Sequence, residues 1–133
     1  ENLDNSGFSD VTVENVDEGI KITIDNIQFQ ADSSELSDEE LRKIEKIGEI
    51  LSKNPDQDIL VTGHTALAGT AEGRKILSIQ RAKAVAEYLL ELGARTEKQI
   101  RIQGKGSDEP VAENATEEGR SKNRRVEITI LEN

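Results

Sequence analysis

The sequence contains no cysteine, methionine or tryptophan, and its 133 residues include only two phenylalanines and one tyrosine. The absence of cysteine excludes disulfides and thiolate metal sites. Aromatic side chains form the stacking platforms for single-stranded nucleic acids, and commonly for sugar rings, so this chain has little to offer either ligand. No apolar run reaches the roughly 20 residues of a transmembrane helix. Because the first residue is Glu1, we expect a fragment whose membrane anchor, if any, lies outside it.

Acidic residues outnumber basic ones, and the formal net charge is −10. Residues 1–60 carry 16 acidic and 5 basic side chains, whereas residues 61–133 carry 11 and 12. An acidic domain repels polyanions, so nucleic acid is not expected as a partner. The second part of the chain is close to neutral and can still hold a small carboxylate.

The length fits one globular domain, and we expect residues 1–10 to be a loose lead-in and residues 11–133 to form the domain. Alternating apolar residues on both sides of the turn-like segment 17–19 predict a β-hairpin. The apolar character continues through Ile27 and Phe29.

Helical and strand patterns alternate in the rest of the chain. Ser37 and Glu40 have the spacing of a capping box, and Asn54-Pro55 is expected to end the helix that follows. The remaining predicted elements are a strand at 59–61, a helix at about 72–92, a strand at 100–102, a helical turn at 116–118 and a strand at 126–130. This alternation predicts an α/β sandwich with two main helices packed on a mixed sheet and an added N-terminal hairpin.

The second of these helices carries arginine on its inner face. With Val85 at the centre of that face, helical periodicity places Leu89 and Leu92 on it, and also Arg74 and Arg81. A guanidinium pointing inward needs a partner. Either Arg81 pairs with an acid of the domain or reaches water, or it grips a ligand carboxylate through its planar fork. Helix geometry alone favours the first interpretation.

Several separated motifs resemble the OmpA-like C-terminal domain, a family that includes peptidoglycan-associated lipoproteins and the periplasmic part of flagellar stator proteins. The resemblance covers roughly residues 18–131. The motifs are Gly63-His64-Thr65, Leu77-Ser78-x-x-Arg81-Ala82-x-x-Val85-x-x-x-Leu89, Gly104-x-Gly106 and Gly119-Arg120-x-x-Asn123-Arg124-Arg125-Val126-Glu127.

The resemblance implies a βαβαβ-type, non-catalytic domain in the periplasm, associated with the outer membrane or cell envelope, that binds the stem peptide of peptidoglycan. In the family, an aspartate after the His-Thr pair contacts the ammonium of the diamino acid at the third peptide position. The arginine of the Leu-Ser-x-x-Arg-Ala motif contacts its carboxylate. Arg81 matches that arginine.

Two positions of the implied site depart from the family pattern. Ala66 stands in place of the aspartate, and Arg74 in place of an asparagine. A methyl group accepts no hydrogen bond, and losing a charged acceptor costs about 1.5–3 kcal/mol, or roughly tenfold to a hundredfold in affinity. We therefore expect altered or weakened binding. The alternative is a protein-interaction or spacer module that kept the fold and lost the ligand.

Three more residues are candidates for the ligand site. Asp32 either supplies the missing acid or is a solvated carboxylate, Thr65 presents its backbone or is an ordinary loop residue, and Arg124 supports the rim or forms a salt bridge. His64 is the only histidine, so no metal constellation and no cofactor are expected. Ser78 lacks a recognisable base, which argues against nucleophilic catalysis.

Overall fold

The computed structural model describes residues 11–17, 19–24, 36–53, 55–67 and 69–131. The predicted lead-in, the segment with Ile27, Phe29 and Asp32, and Asn54 lie outside these ranges. The described strands and α-helices are, in chain order, β1 (Val11–Val16), β2 (Gly19–Ile24), α1 (Asp38–Leu51), β3 (Ile59–Gly63), α2 (Ala71–Glu91), β4 (Ile100–Gly104), α3 (Glu117–Asn123) and β5 (Val126–Leu131).

The five described strands form one open, mixed sheet in the order β1-β2-β5-β3-β4. Strands β3 and β4 are parallel, and the other pairs are antiparallel, which confirms the hairpin and the mixed sheet. The C-terminal strand lies in the middle, where Ile128 pairs with Ile22 on one side and Val61 on the other. All three side chains are fully buried, so this row forms the centre of the apolar face.

A hydroxyl side chain caps each described α-helix at its N-terminus. The Ser37 hydroxyl accepts from the Glu40 N–H, which is one of the two bonds of the predicted capping box, and the Thr70 and Thr116 hydroxyls accept from the N–H groups of Gly73 and Gly119 in α2 and α3. Helix α1 ends at Leu51, before the predicted stop at Asn54-Pro55. Within the described ranges, no helix has the length and apolarity needed to cross a bilayer.

Aliphatic side chains from the sheet, α1 and α2 form the core, as the scarcity of aromatic residues predicts. Helix α2 contributes Ala82, Val85, Ala86 and Leu89. The prediction for Leu92 is wrong, because this residue caps the C-terminus of α2 and is 41% exposed. The apolar stripe of α2 therefore ends one turn earlier than its periodicity suggests.

Two glycines let α2 approach the sheet closely. A Cβ atom at Gly63, the last residue of β3, would lie 2.1 Å from the carbonyl oxygen of Ser78. One at Gly104, the last residue of β4, would lie 2.4 Å from the Ser78 hydroxyl. The strand ends therefore touch the backbone of α2 one helical turn before Arg81, which fixes the position of the polar half of that helix.

Candidate functional site

A cavity of about 510 Å³ lies between the loop after β3, the N-terminal half of α2, and α3. Five of the six residues predicted from the sequence line it, whereas the sixth, Asp32, lies outside the described residues. The five are Thr65, Ala66, Arg74, Arg81 and Arg124. The remaining described lining residues are Gly69, Thr70, Gly73, Leu77 and Arg120, which sequence reasoning missed.

Backbone hydrogen bonds hold the loop after β3 in place. The N–H of His64 donates to the carbonyl of Arg125 (2.9 Å), and the N–H of Thr65 donates to the carbonyl of Gly106 (2.8 Å). Because the N–H of Thr65 is already used in this way, it is not available to donate to a ligand. The adjacent Ala66 is only 6% exposed, so its methyl group forms part of the cavity wall.

Ser78 anchors α2 to the turn after β4. Its hydroxyl donates to the carbonyl of Lys75 (2.8 Å) and accepts from the N–H of Gly106 (2.9 Å). The side chain is fully buried, and both bonds serve the scaffold. This arrangement accounts for the serine of the Leu-Ser-x-x-Arg-Ala motif by packing and hydrogen bonding.

Arg74 lies across one rim of the cavity. Its Nε donates to the Ser107 hydroxyl (2.8 Å), and its Nη1 donates to the carbonyl of Gly69 (2.7 Å). These two partners are neutral groups, and they orient the guanidinium on the rim. Arg74 therefore adds a positive charge at the position where the family pattern has an amide.

Arg81 is partly buried on the helical wall of the cavity. Burial lowers its pKa, and the charge of Arg124 lowers it further. An arginine nevertheless stays protonated in a protein. The two guanidiniums therefore repel each other, and an anion placed between them would reduce that repulsion.

Helix α3 supplies the opposite wall with Arg120 and, at its C-terminal end, Arg124. A spacing of four residues puts both on one helical face. Glu117 contacts both, with Oε1 3.3 Å from Arg120 Nε and Oε2 hydrogen-bonded to Arg124 Nη2. The bond from Arg124 is the largest of the effects that lower the pKa of Glu117. The i,i+4 spacing of the two arginines is the signal that could have identified Arg120.

Hydrogen bonds of two side-chain amides, those of Asn123 and Asn114, join α3 to the loop after β3. The fully buried Asn123 accepts from the N–H groups of Val111 and Ala112 and donates to Asn114 Oδ1 (2.9 Å). Asn114 Oδ1 in turn accepts from the N–H of Leu67 (3.2 Å). Because this chain of bonds spans the two walls, it sets the width of the cavity.

A charged cluster lies beneath the loop. His64 Nε2 is 3.3 Å from Glu127 Oε1, and Arg125 Nε donates to Glu127 Oε2 at 2.8 Å. Burial raises the pKa of Glu127, but His64 and Arg125 outweigh it and hold the pKa at about 2. In the described part of the chain, no group of side chains is arranged to hold a metal ion.

The lowered pKa of Glu127 predicts a loss of stability in acid. The carboxylate stabilises the fold above its ordinary pKa of 4.5, and this contribution disappears as the pH falls towards about 2. We expect the free energy of unfolding of the wild type to decline between pH 5 and pH 2 more steeply than that of Glu127→Gln, as measured by urea unfolding. Glu118→Gln, at an exposed acid, should follow the wild type. Parallel curves for wild type and Glu127→Gln would contradict the prediction.

The OmpA family model matches residues 28–124. The chain is 41% identical over 105 residues to "Peptidoglycan-binding protein ArfA" of Mycobacterium tuberculosis, a match that covers 78% of this chain and 32% of that protein. The chain thus spans about a third of the length of this relative.

Solved structures resemble the fold over nearly all of its length. The cell wall anchor of the T6SS from Pseudomonas aeruginosa has a TM-score of 0.84 at 30% identity, covering 99% of this chain and 94% of that one. An outer membrane protein from Borrelia burgdorferi has a TM-score of 0.77 at 35% identity, covering 92% of this chain and 97% of that one. The helices on an open mixed sheet are therefore a shared architecture.

Proposed function

This chain belongs to the OmpA family, and from that premise we propose that it is a non-catalytic, cell-wall-binding module of the periplasm or cell envelope. It holds the stem peptide of peptidoglycan in the cavity beside Arg81. The observation that supports this proposal most directly is that Arg81 lines a cavity of about 510 Å³ rather than a closed core. The names of two similar proteins, a peptidoglycan-binding protein and a cell wall anchor, support this role.

The chemistry of the cavity suits a peptide carboxylate. A guanidinium binds a carboxylate through two parallel hydrogen bonds, and such charge-assisted bonds are stronger than neutral ones. The volume lies within the range of about 300–1,000 Å³ that is usual for small-ligand sites. Leu77 and Ala66 add apolar surface beside the charges, which suits the aliphatic part of an amino acid.

The two positions that depart from the family pattern, Ala66 and Arg74, change the ligand preference of this site. Ala66 offers no acceptor to an ammonium group, and Arg74 places a further positive charge on the rim. We therefore propose weaker binding of a third-position diamino acid than the family pattern implies, and a preference for a residue with a shorter or differently placed amine. Asp32 is the candidate for a substitute acid.

Ala66→Asp is expected to raise the affinity for stem peptides with a diamino acid by about tenfold or more, because it restores a charged acceptor for the ammonium. Calorimetric titration of both proteins measures the difference. A peptide whose third residue lacks the second amine is the control, and its affinity should not rise. Equal affinities of variant and wild type for the diamino peptide would show that the site lies elsewhere.

A second candidate function is a spacer or protein-interaction module, favoured by the combined change at Ala66 and Arg74. Sedimentation with purified sacculi separates the two. A wall-binding domain pellets with the sacculi, whereas a spacer stays in the supernatant. Titration with peptidoglycan fragments of several chemotypes completes the test, because binding to none of them would defeat the first proposal.

A further inference from the structure

We infer that the outer edge of β4 and the neighbouring side of α2 form an interface with a second copy of this chain. We call this region the edge surface, and its apolar residues are Ile76, Ile79, Leu90 and Ile102. The inference goes beyond the proposed function and does not depend on it, because the edge surface and the cavity occupy opposite sides of α2.

Strand β4 lies at one end of the sheet and pairs only with β3 among the described strands. The N–H of Lys105, directly after β4, donates to the carbonyl of Gly63 at the end of β3 (3.0 Å). Successive backbone groups of a strand point to alternate sides, so the N–H and C=O of Ile102 point away from β3. Because β4 contains no proline and no glycine with positive φ, it can pair with a further strand at this edge.

Exposed apolar side chains continue the strand edge onto α2. Ile79 packs beside the end of β4, since a Cβ atom at Gly104 would lie 2.5 Å from Ile79 Cγ1. At about 100° per residue, Ile76 and Leu90 lie within about 60° of Ile79 around the helix. Ile102 faces the same side of the sheet as Gly104, two residues later. The exposed fractions are 49% for Ile76, 41% for Ile79, 38% for Leu90 and 41% for Ile102. Such a cluster indicates an interaction surface.

The other side of α2 faces the cavity and α1. Leu77 and Arg81 line the cavity, and each is two residues from Ile79, which is about 200° around the helix. Tyr88, whose hydroxyl donates to Glu45 Oε2 of α1 (2.6 Å), lies on that side as well. A copy bound at the edge surface therefore leaves the cavity open, and a dimer presents two cavities.

The position of α2 favours a second copy over an unrelated peptide. The close contacts at Gly63 and Gly104 place α2 over both β3 and β4. If β4 pairs antiparallel with its counterpart about a two-fold axis at Ile102, the two α2 helices lie about two strand spacings, or roughly 9–10 Å, apart. Packed helices lie about 8–10 Å apart, so the two α2 helices would meet. A single peptide strand would leave the α2 part of the edge surface uncovered.

The sequence of β4 complements itself in this arrangement. Ile102 lies opposite Ile102 of the other copy, Arg101 lies opposite Gln103, and Ile100 lies opposite Gly104. Directly opposed like charges destabilise a strand pair, and this register has none. The outward backbone groups of the two Ile102 residues bond to each other.

The charges on this part of the chain also allow two copies to meet. Residues 61–133, which contain α2 and β4, carry 11 acidic and 12 basic side chains, whereas residues 1–60 carry 16 and 5. Lys83 is exposed on the same side of α2, and Glu87 follows it at the i,i+4 spacing that lets the two charges interact. The contact therefore joins the nearly neutral parts of two acidic chains.

Analytical ultracentrifugation of the whole chain, from micromolar to millimolar concentration, tests the inference. We expect a concentration-dependent dimer. Ile102→Lys places two like charges opposite each other at the two-fold axis and should weaken the dimer about tenfold or more, and Ile76→Lys should also weaken it. Val111→Lys is the matched control, because Val111 is 59% exposed but lies outside the edge surface, and it should leave the dimer unchanged. Urea unfolding checks that each variant is folded.

A single introduced cysteine tests the register, because the natural chain has none. Opposed residues of a hydrogen-bonded antiparallel pair have Cα atoms about 5.5 Å apart, which lies within the disulfide range of about 4.4–6.8 Å. Ile102→Cys should therefore form a covalent dimer on mild oxidation, whereas Val111→Cys should not.

A chain that stays monomeric at millimolar concentration would overturn the inference, even if it captured an extended peptide at β4. A dimer that both lysine variants leave intact would overturn the edge surface, as would equal cross-linking of the two cysteine variants. None of these measurements uses a wall ligand, so their failure and the failure of the proposed function are separate results.

Discussion

Arg81→Gln is expected to release the domain from peptidoglycan sacculi and to lower its affinity for stem peptides by about a hundredfold. The substitution removes a charge-assisted, two-point contact with a carboxylate inside a partly buried cavity, and such hydrogen bonds contribute about 1.5–3 kcal/mol. Sacculus sedimentation and peptide titration measure the loss. Arg81→Lys keeps the charge but not the planar fork, so we expect it to recover only part of the affinity.

A stability measurement separates a ligand-binding role of Arg81 from a purely structural one. If Arg81 served only to neutralise a buried internal acid, removing it would destabilise the fold by about 3–5 kcal/mol. If its main role is to bind a ligand, Arg81→Gln should cost clearly less stability than that, because the substitution also relieves the repulsion from Arg124. Arg101→Gln is the matched control, because that guanidinium is 66% exposed on β4 and does not line the cavity. Wild-type binding by Arg81→Gln would contradict the prediction.

Local patterns in the sequence predicted most of the elements. Alternation of apolar residues identified β1, β2 and β5, and the helix expected at about 72–92 is observed at Ala71–Glu91. These signals are local, because side-chain periodicity and helix caps depend on residues a few positions apart. The central place of β5 in the sheet has no such signal, since strand order depends on pairing between distant segments.

The cavity required information that local patterns do not contain. Five predicted residues line it, but the resemblance identified them, whereas helix geometry alone favoured a structural role for Arg81. The second wall depends on α3, which extends from the predicted turn to Asn123. The position of α3 follows from hydrogen bonds of the Asn123 and Asn114 side-chain amides, which join segments that share no periodicity in the sequence. Arg120 could have been identified from its i,i+4 spacing with Arg124, but only if α3 had been predicted to extend beyond the turn at 116–118.

Gly63→Ala is expected to destabilise the domain by about 3 kcal/mol or more, because the added methyl group meets backbone rather than a flexible side chain. Its Cβ would lie 2.1 Å from the carbonyl oxygen of Ser78 and 2.9 Å from the carbonyl carbon. Neither atom can move unless α2 shifts away from β3. Such a shift would also move Arg81 relative to the loop at Thr65, so the remaining folded protein should bind wall peptides more weakly.

Gly48→Ala is the matched control, since Gly48 is also buried but lies within α1. A Cβ atom there would lie 3.5 Å from Leu92 Cδ1, which is an ordinary van der Waals distance. Alanine also favours the helical backbone by about 0.5–1 kcal/mol over glycine, so this variant should be slightly more stable than the wild type. Urea unfolding should show that the free energy of unfolding falls in Gly63→Ala and rises slightly in Gly48→Ala, relative to the wild type. Similar unfolding midpoints for the two variants would mean that α2 can move away from the sheet without a loss of stability. In that case, the close contact at Gly63 would not be what positions the α2 wall of the cavity.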